Sequence, residues 1–525
     1  METNILSFLE TNAIMYPDKN AVVEVSATIT YKELQERSQR IGSALASKYI
    51  SILNHNSSMI DEVTCLSATS FFAHDPIGVY MEKGIDALSS FLGIVYSGSF
   101  YAMLNAELPD ARLQQIQSVL QTNIIITTIA LKEKAEGLFP DSLILAIEDL
   151  KLAKVDSVLL ESIRDRTIDT DPLYINFTSG STGIPKGIIV SHRSVIDFIQ
   201  CFTELFSIDS SDVIGNQAPF DFDVSVKDIY SSLKSGATLS IIPQNYFSAP
   251  VKLLDYLCET GVTTLIWAVS ALCLISTFHG LEYRVPTAIS KILFSGETMP
   301  YKHLREWQKH LPDAVYVNLY GPTEITCNCT YHILRKDRDY SEGIPIGKHF
   351  PNEYVFLLNE QDKIITKPGI KGEIIVRGTT LALGYYRSQE HNQMQFVQNP
   401  MNKSYPETVY RTGDWGMYDE DGELLFCGRR DNQIKHMGHR VELDEIEKNM
   451  ASIQGVERCF CVFEQKKDRL KGFYIGTIEK DALFKTMSGI LPPFMVPGYL
   501  RKLETIPLTK NGKIDRRLFM ESEVK

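Results

Sequence analysis

Cysteine is scarce, nine in 525 residues, too few and too irregularly spaced for a disulfide framework. The Cys-x-Cys pairs Cys327/Cys329 and Cys459/Cys461 lack zinc-ribbon spacing, so free thiols in a reducing compartment are expected. Runs of Lys and Arg are absent, and 65 acidic residues outweigh 53 basic ones, for a formal charge of −12. A phosphate-backbone binder needs a basic stripe, so nucleic acid is excluded as the main partner. The longest largely apolar stretch, Phe91 to Leu104, is about 14 residues and is broken by Gly and Ser. A membrane span needs about 20. The N-terminus METNILSFLE carries Glu2 and Glu10 and no basic segment, so no secretory leader is expected. No internal repeat or low-complexity tract is evident. What remains is a cytoplasmic globular protein, with 44% hydrophobic and 22% charged residues. At roughly 100–200 residues per domain the length allows two to four domains, and the size favours an enzyme.

Apolar β-rich runs alternate with helical patterns over most of the chain. Asn123–Ile129, Leu173–Thr178 and Lys291–Ser295 read as short buried strands, and Ser191–Phe206 as an amphipathic helix. Such alternation predicts an α/β fold with largely parallel sheets. Around 340–430 short alternating strands such as GEIIVR (372–377) are separated by Gly and Asp turns, which predicts a smaller β-rich subdomain. Near Gly428-Arg429-Arg430-Asp431 a short strand gives way to a charged segment and then to the helix-like VELDEIEKNMA. A boundary is expected there, giving a large domain over 1–430 and a small α+β domain over 431–525.

The most informative segment is YINFTSGSTGIPKGIIV (174–190). A strand-like run ends in Thr178-Ser179-Gly180-Ser181-Thr182-Gly183, followed by Pro185-Lys186-Gly187. Glycines let backbone N–H groups turn toward an anion, hydroxyls add donors and Lys186 adds charge, a composition suited to nucleotide phosphates. It is not G-x-x-x-x-G-K-[ST]: counting from Gly180, Pro185 stands at the second Gly and Gly187 at the Ser/Thr. Gly187–Val190 reads as a strand, so no helix N-terminus is expected to hold the anion.

TSGSTGIPKG resembles the signature of the adenylate-forming superfamily, which includes acyl-CoA synthetases, luciferases and the adenylation domains of non-ribosomal peptide synthetases. Further landmarks follow in that family's order: YGPTE (320–324), GEIIVRGTTLALGYY (372–386), YRTGD (410–414), GRRDNQIKHMGHRVELDEIE (428–447) and PLTKNGKIDRR (507–517). Within the superfamily, FDFDVSVKDIY (220–230) and LFSGETMP (293–300) look most like stand-alone D-alanine–carrier-protein ligases. The resemblance implies two αβ-layered subdomains plus the β-rich one, followed by a mobile small domain. It also implies a reaction in two halves. A carboxylate attacks the α-phosphate of ATP and expels pyrophosphate; a thiol then takes the acyl group and releases AMP. Negative charge develops in both halves, so cations and oriented donors should dominate catalysis.

By that resemblance, Lys513 bridges the substrate carboxylate and the α-phosphate; on the residues alone, a Lys in an NGK turn is an ordinary solvated charge. Glu324 would hold Mg²⁺ together with ATP phosphates. Thr178, Ser179, Gly180, Ser181, Thr182, Gly183 and Lys186 would cradle phosphate, with Gly296, Glu297 and Gly321 beside the nucleotide. Tyr320 would pack on adenine, Asn318 would meet its amine, Thr323 a phosphate, Asp414 both ribose hydroxyls, and Arg429 the ribose or phosphates. Asp431 is the expected hinge, with Lys435 and Gly438 facing the thiol arm. Family members often show an aliphatic residue and Arg where this chain has His436 and Met437. His436 is expected to line a tunnel or the surface, and His192 is expected to be structural.

Asp223 aligns with the aspartate that pairs with a substrate α-amino group; the plain alternative is a helix N-cap. Val224, Lys227, Leu293, Ser295, Leu319, Cys327 and Asn328 would line the acyl pocket. Leu265–Trp267 would contribute in a register open by one residue, with Trp267 and Leu293 narrowing the pocket. Lys227 either neutralises an acidic substrate side chain, pairs with Asp223 at i,i+4, or snorkels outward. D-alanine ligases carry Met and Cys at the Lys227 and Ser295 positions.

Only 12 residues follow Lys513, so the carrier protein is expected to act in trans, on a monomeric ligase. Two other functions stay open: an acyl- or aryl-CoA ligase using free CoA, and a catalytically silent nucleotide-binding scaffold. Tyr49–Ala73 departs from the family and reads as a polar surface insertion.

Overall fold

In the computed structural model, which describes residues 2–56, 75–180, 183–429, 433–464, 467–505, 514 and 516–520, the chain divides into two units. The first comprises Met1–Ala106, Gln121–Asn176 and Gly187–Gly428; the second comprises Glu107–Leu120, Phe177–Lys186 and Arg429–Lys525. Ser181, Thr182, Asp431, Lys513 and most of the 49–73 segment lie outside the described residues. The start of that segment completes a long helix, Tyr31–Asn56.

The strands expected from apolar runs form over Ile124–Thr127, Pro172–Thr178 and Lys291–Ser295. Among the described residues they belong to a seven-stranded and a nine-stranded sheet, both largely parallel, as buried continuous apolar runs require. In the larger sheet, strands Thr264–Ala268, Lys291–Ser295 and Val315–Tyr320 run parallel, with Ile266 beside Leu293 and Leu293 beside Val317. Side chains alternate across these strands. Ile266, Leu293, Val317 and Leu319 join the cluster of Val226, Ile229 and Tyr230, from helix Val224–Ser235. Leu265, Trp267, Ile292, Phe294 and Tyr316 pack the opposite way, with Leu254, Leu272 and Trp307.

Helix His192–Leu205 buries Val195, Phe198, Ile199 and Phe202, an i,i+3/i+4/i+7 stripe, and Ser191 caps it by accepting from Ser194 N–H. The β-rich part is an antiparallel sheet built around Glu353–Leu358, Gly372–Gly378 and Thr408–Tyr418. This architecture is the α/β fold expected, with two αβ-layered sheets and a β-rich subdomain.

The second unit contains hairpin Gln433–His436/His439–Glu442, helix Leu443–Ala451 and a three-stranded sheet. Met437 and Gly438 turn the hairpin with φ of 53° and 80°, the positive pair that a two-residue hairpin favours. Its core gathers Val441, Ile446, Met450, Leu470, Tyr474 and Leu483. Among the described residues no two cysteines are joined in a disulfide. Among the described residues no helix is long and apolar enough to cross a membrane.

Candidate active site

Strand Val315–Tyr320 delivers the YGPTE residues at its C-terminal end. A Cβ on Gly321 would fall 2.4 Å from the Asn328 Cα, so only glycine fits where the chain folds back on itself. Tyr320 donates its phenol to Asp414 Oδ2 at 2.5 Å. Burial, and next the Asp414 charge, push the Tyr320 pKa well up, so the phenol remains a donor. One Asp414 oxygen is therefore engaged with tyrosine, while the resemblance assigns the carboxylate to both ribose hydroxyls. Asn318 donates its amide to the Pro345 carbonyl at 2.9 Å, which orients the side-chain oxygen as the acceptor an exocyclic amine needs.

Thr323–Ile325 forms a short 3-10 turn. Glu324 is fully buried there, and Tyr385 donates to its Oε1 at 2.6 Å. Among the described residues no cluster of three or more His, Cys, Asp or Glu could hold a metal by itself. A single oriented carboxylate fits Mg²⁺ carried in on phosphates, since that ion keeps most of its waters. Thr323, expected at a phosphate, gives its hydroxyl here to Asp223 Oδ2 at 2.6 Å. Gly296, with φ of 98°, and Glu297 turn out of strand Lys291–Ser295.

Asp223 occupies the N-cap position of helix Val224–Ser235 but makes no side-chain capping bond. Its carboxylate is committed to Thr323, and its carbonyl accepts the Cys327 thiol at 2.8 Å. Thr326 and Cys327 both have positive φ, 61° and 108°, a strained pair held in part by Thr326 Oγ1 donating to the Thr380 carbonyl. Burial drives the Cys327 pKa well up, so this thiol is a neutral wall. Lys227 neither pairs with Asp223 nor snorkels. It is wholly buried and donates to Asn328 Oδ1 at 2.7 Å and Ser295 Oγ at 3.4 Å. Leu293 and Leu319 are buried on the side of the sheet that the helix covers, and Val224 is buried in the helix's first turn.

The open register resolves at Ile266. Trp267, expected to narrow the pocket, points to the other face of the sheet, where its indole N–H meets the Gly215 carbonyl at 2.7 Å and Phe247 packs edge-on. Strand alternation is the cause: the residue beside Leu293 is Ile266. Sequence reading also missed Asp228. It is buried, accepts from Asn216 at 2.7 Å, and has its pKa raised by burial to about 7. His192 is buried and accepts the Ile5 N–H, and burial lowers its pKa to about 3, as suits a structural residue.

In the second unit the glycine-rich segment closes a turn, Gly183 N–H donating to the Gly180 carbonyl at 2.8 Å. A Cβ on Gly180 would strike the Ile184 carbonyl oxygen at 2.0 Å. The Gly180 N–H faces an anion already: it donates to Glu445 Oε2 at 3.0 Å, and Glu445 Oε1 pairs with Arg112 at 2.5 Å. Ser179 donates to the Arg440 carbonyl at 2.8 Å, and Arg440 reaches Thr178 Oγ1 at 3.4 Å. Lys186 opens strand Lys186–Ser191 and Arg429 ends strand Leu424–Arg429, each half-buried. Lys435 is half-buried on the hairpin, whereas His436 is buried and donates Nδ1–H to the Phe494 carbonyl at 2.7 Å. His436 also lines a cavity of about 430 Å³ with Met437, Asp468, Phe484 and Pro493.

Residues 65–386 match the family model described as AMP-binding enzyme. The chain is 30% identical over 547 aligned positions to the D-alanine–D-alanyl carrier protein ligase of Bacillus thuringiensis (strain Al Hakam), covering 99% of each. It is 27% identical to tyrocidine synthase 1 of Brevibacillus parabrevis, across 99% of this chain and 45% of that one. Peptide-synthase relatives of this kind are far longer: the chain spans between 8% and 45% of their length. In fold it superimposes on the Vibrio cholerae adenylation domain AlmE, solved with glycyl-adenosine-5′-phosphate, with TM-score 0.80 at 22% identity, over 98% of this chain and 97% of that one. With three fifths of its length inside the family model and a full-length relative at 30% identity, the chain belongs to the AMP-binding enzyme family.

Proposed function

We propose that this protein activates an amino acid as its aminoacyl-adenylate at the expense of ATP, and then passes the acyl group to the phosphopantetheine thiol of a separate carrier protein. The observation that carries the reading is Asp223, a carboxylate buried at the head of helix Val224–Ser235 and oriented by Thr323. A carboxylate in that position selects an acid bearing an ammonium over a plain fatty or aryl acid, because an unpaired buried charge is costly. The relatives agree, one a D-alanine–D-alanyl carrier protein ligase and one an adenylation domain in complex with glycyl-adenosine-5′-phosphate.

In the first half-reaction a substrate carboxylate oxygen bonds to the α-phosphorus and the bond to pyrophosphate breaks. Tyr320, Asn318 and Asp414 hold the nucleoside, and the Thr178–Gly183 loop with Lys186 and Arg429 holds the phosphates. Glu324 would hold Mg²⁺, which would supply charge neutralisation on the phosphates. Lys513 bridges the two anions, and Asp431 is the hinge; both lie outside the described residues. In the second half the carrier thiol bonds to the acyl carbon, AMP leaves, and Lys435 and Gly438 face the arm. Binding that orients both reactants supplies much of the acceleration.

Pyrophosphate exchange with Mg-ATP and a panel of D-, L- and β-amino acids tests the reading. Amino-acid-dependent exchange that Asp223→Ala abolishes supports it. Exchange driven by fatty or aryl acids, and indifferent to Asp223→Ala, assigns the chain to CoA ligases instead. ATP binding without turnover on any acid assigns it to a silent scaffold.

A further inference from the structure

Helix Val224–Ser235 carries a second charged side chain into the cluster that Asp223 begins. Lys227 lies four residues on, about one turn and roughly 6 Å of rise, so the two share a face. The ammonium of Lys227 is wholly buried, and both its hydrogen-bond partners, the Asn328 side-chain oxygen and the Ser295 hydroxyl, are neutral. Of the groups near enough to act on it, Cys327 is a thiol that burial keeps neutral. A buried cation without an anionic partner is unfavourable, and burial accordingly lowers the Lys227 pKa.

Two carboxyls act on it through space, Asp223 and Asp228. Asp228 is a poor counter-charge. One of its oxygens is bound to Asn216, the other has no hydrogen-bond partner, and burial raises its pKa to about 7. Asp223 is the group assigned above to the substrate ammonium. Once that ammonium arrives, one dependable carboxylate faces two cations in a dry cluster.

We infer that the substrate brings the missing negative charge: the activated amino acid is acidic, its side-chain carboxylate held by Lys227 with Asn328 and Ser295 fixing the ammonium. This inference rests on the amino-acid reading above. Aspartate, glutamate or a one-carbon homologue of either enantiomer has the required chemistry, a methylene stem against Leu293 and Leu319 and a terminal anion. An alanine or glycine would leave Lys227 uncompensated.

Pyrophosphate exchange by the full-length protein with aspartate, glutamate, asparagine, glutamine, alanine and glycine, in both enantiomers where they exist, tests it. An acidic amino acid is expected to exceed its own amide by at least about 100-fold in kcat/KM, as a buried polar reader discriminates against an analogue lacking its partner group. Lys227→Met should remove most of that advantage, raising the ratio of amide to acid at least about 10-fold. Lys227→Arg, which keeps the charge, should retain the preference for acid over amide and shows that the site still folds. Exchange driven by a neutral amino acid while the acidic ones are silent overturns the inference and leaves amino-acid activation standing. An acid preference that survives Lys227→Met overturns Lys227 as its reader. Exchange with no amino acid overturns the underlying reading itself.

Discussion

The one-residue register at strand Thr264–Ala268 lends itself to a paired test, because adjacent side chains leave the strand in opposite directions. Trp267 is fully buried among Leu254, Leu272, Phe294 and Trp307, and its indole N–H is bonded to Gly215. Trp267→Ala therefore removes core volume on the face away from helix Val224–Ser235. Truncating a buried tryptophan costs about 3–5 kcal/mol. The first unit has on the order of 400 residues, for which the unfolding entropy is about 0.8 kcal/mol per degree, so the melting temperature should fall by about 4–6 °C. Substrate preference should not move. Ile266→Phe adds volume on the opposite face, beside Leu293 and within the cluster that holds Leu319 and Cys327. Overpacking should lower melting by only about 1–4 °C, and kcat/KM for the preferred amino acid should fall by about 100-fold, the scale on which a displaced substrate loses alignment. Differential scanning fluorimetry and pyrophosphate exchange, run on both variants, read the two effects separately. If Trp267→Ala changed which amino acid is activated while Ile266→Phe did not, the assignment of faces would be wrong.

Three further outcomes are expected. Asp228 keeps its proton to about pH 7 when folded and loses it near 3.8 when unfolded. Its contribution is thus intact below pH 3.8 and is lost as pH rises through that window. Asp228→Asn should then gain about 3 kcal/mol relative to wild type between pH 5 and pH 8 in urea titrations, and a pH-independent difference would count against a buried, protonated carboxyl. His192 shows the opposite sign: it is neutral in both states above pH 6.5, and below that the unfolded chain takes a proton the buried ring refuses until about pH 3. Wild type should lose about 2.7 kcal/mol from this group between pH 6.5 and 4.5, and His192→Asn should flatten that slope; an unchanged slope refutes the assignment. Arg112→Met leaves the Glu445 carboxylate buried without its cation, a change that costs about 3–5 kcal/mol. Hydrogen exchange across residues 177–186 should accelerate by on the order of 100-fold, and unaltered protection would show that the pair does not hold this loop.

What the sequence made legible is what depends on local pattern. Strand Lys291–Ser295 is bounded as its apolar run reads, and Ser191 caps helix His192–Leu205 as a serine before an amphipathic stripe should. The order of motifs identified the family, and Gly180 in the loop sits where a Cβ would strike backbone. What remained hidden depends on which way a side chain leaves an element buried on both faces. Strand Thr264–Ala268 is buried at every position, so no polar alternation marks a face, and Ile266 is indistinguishable in sequence from its neighbours. Lys227 shows the limit most sharply. A lysine one turn after an aspartate reads as an exposed i,i+4 pair, because that is the low-cost arrangement on an isolated helix. The helix is instead covered all round, as its run of buried residues from Val224 to Leu233 records, and the lysine's partners come from residues 68 and 101 positions away. Such contacts exist only after the sheet has assembled, so no window on the helix could report them. Asp228 follows the same logic one residue later: its partner Asn216 lies at the end of a neighbouring strand, and the proton it keeps is a consequence of burial that composition cannot register. Residues that break a local rule in this way are the ones where the fold has imposed a function-bearing environment, and both stand on the same helix as Asp223.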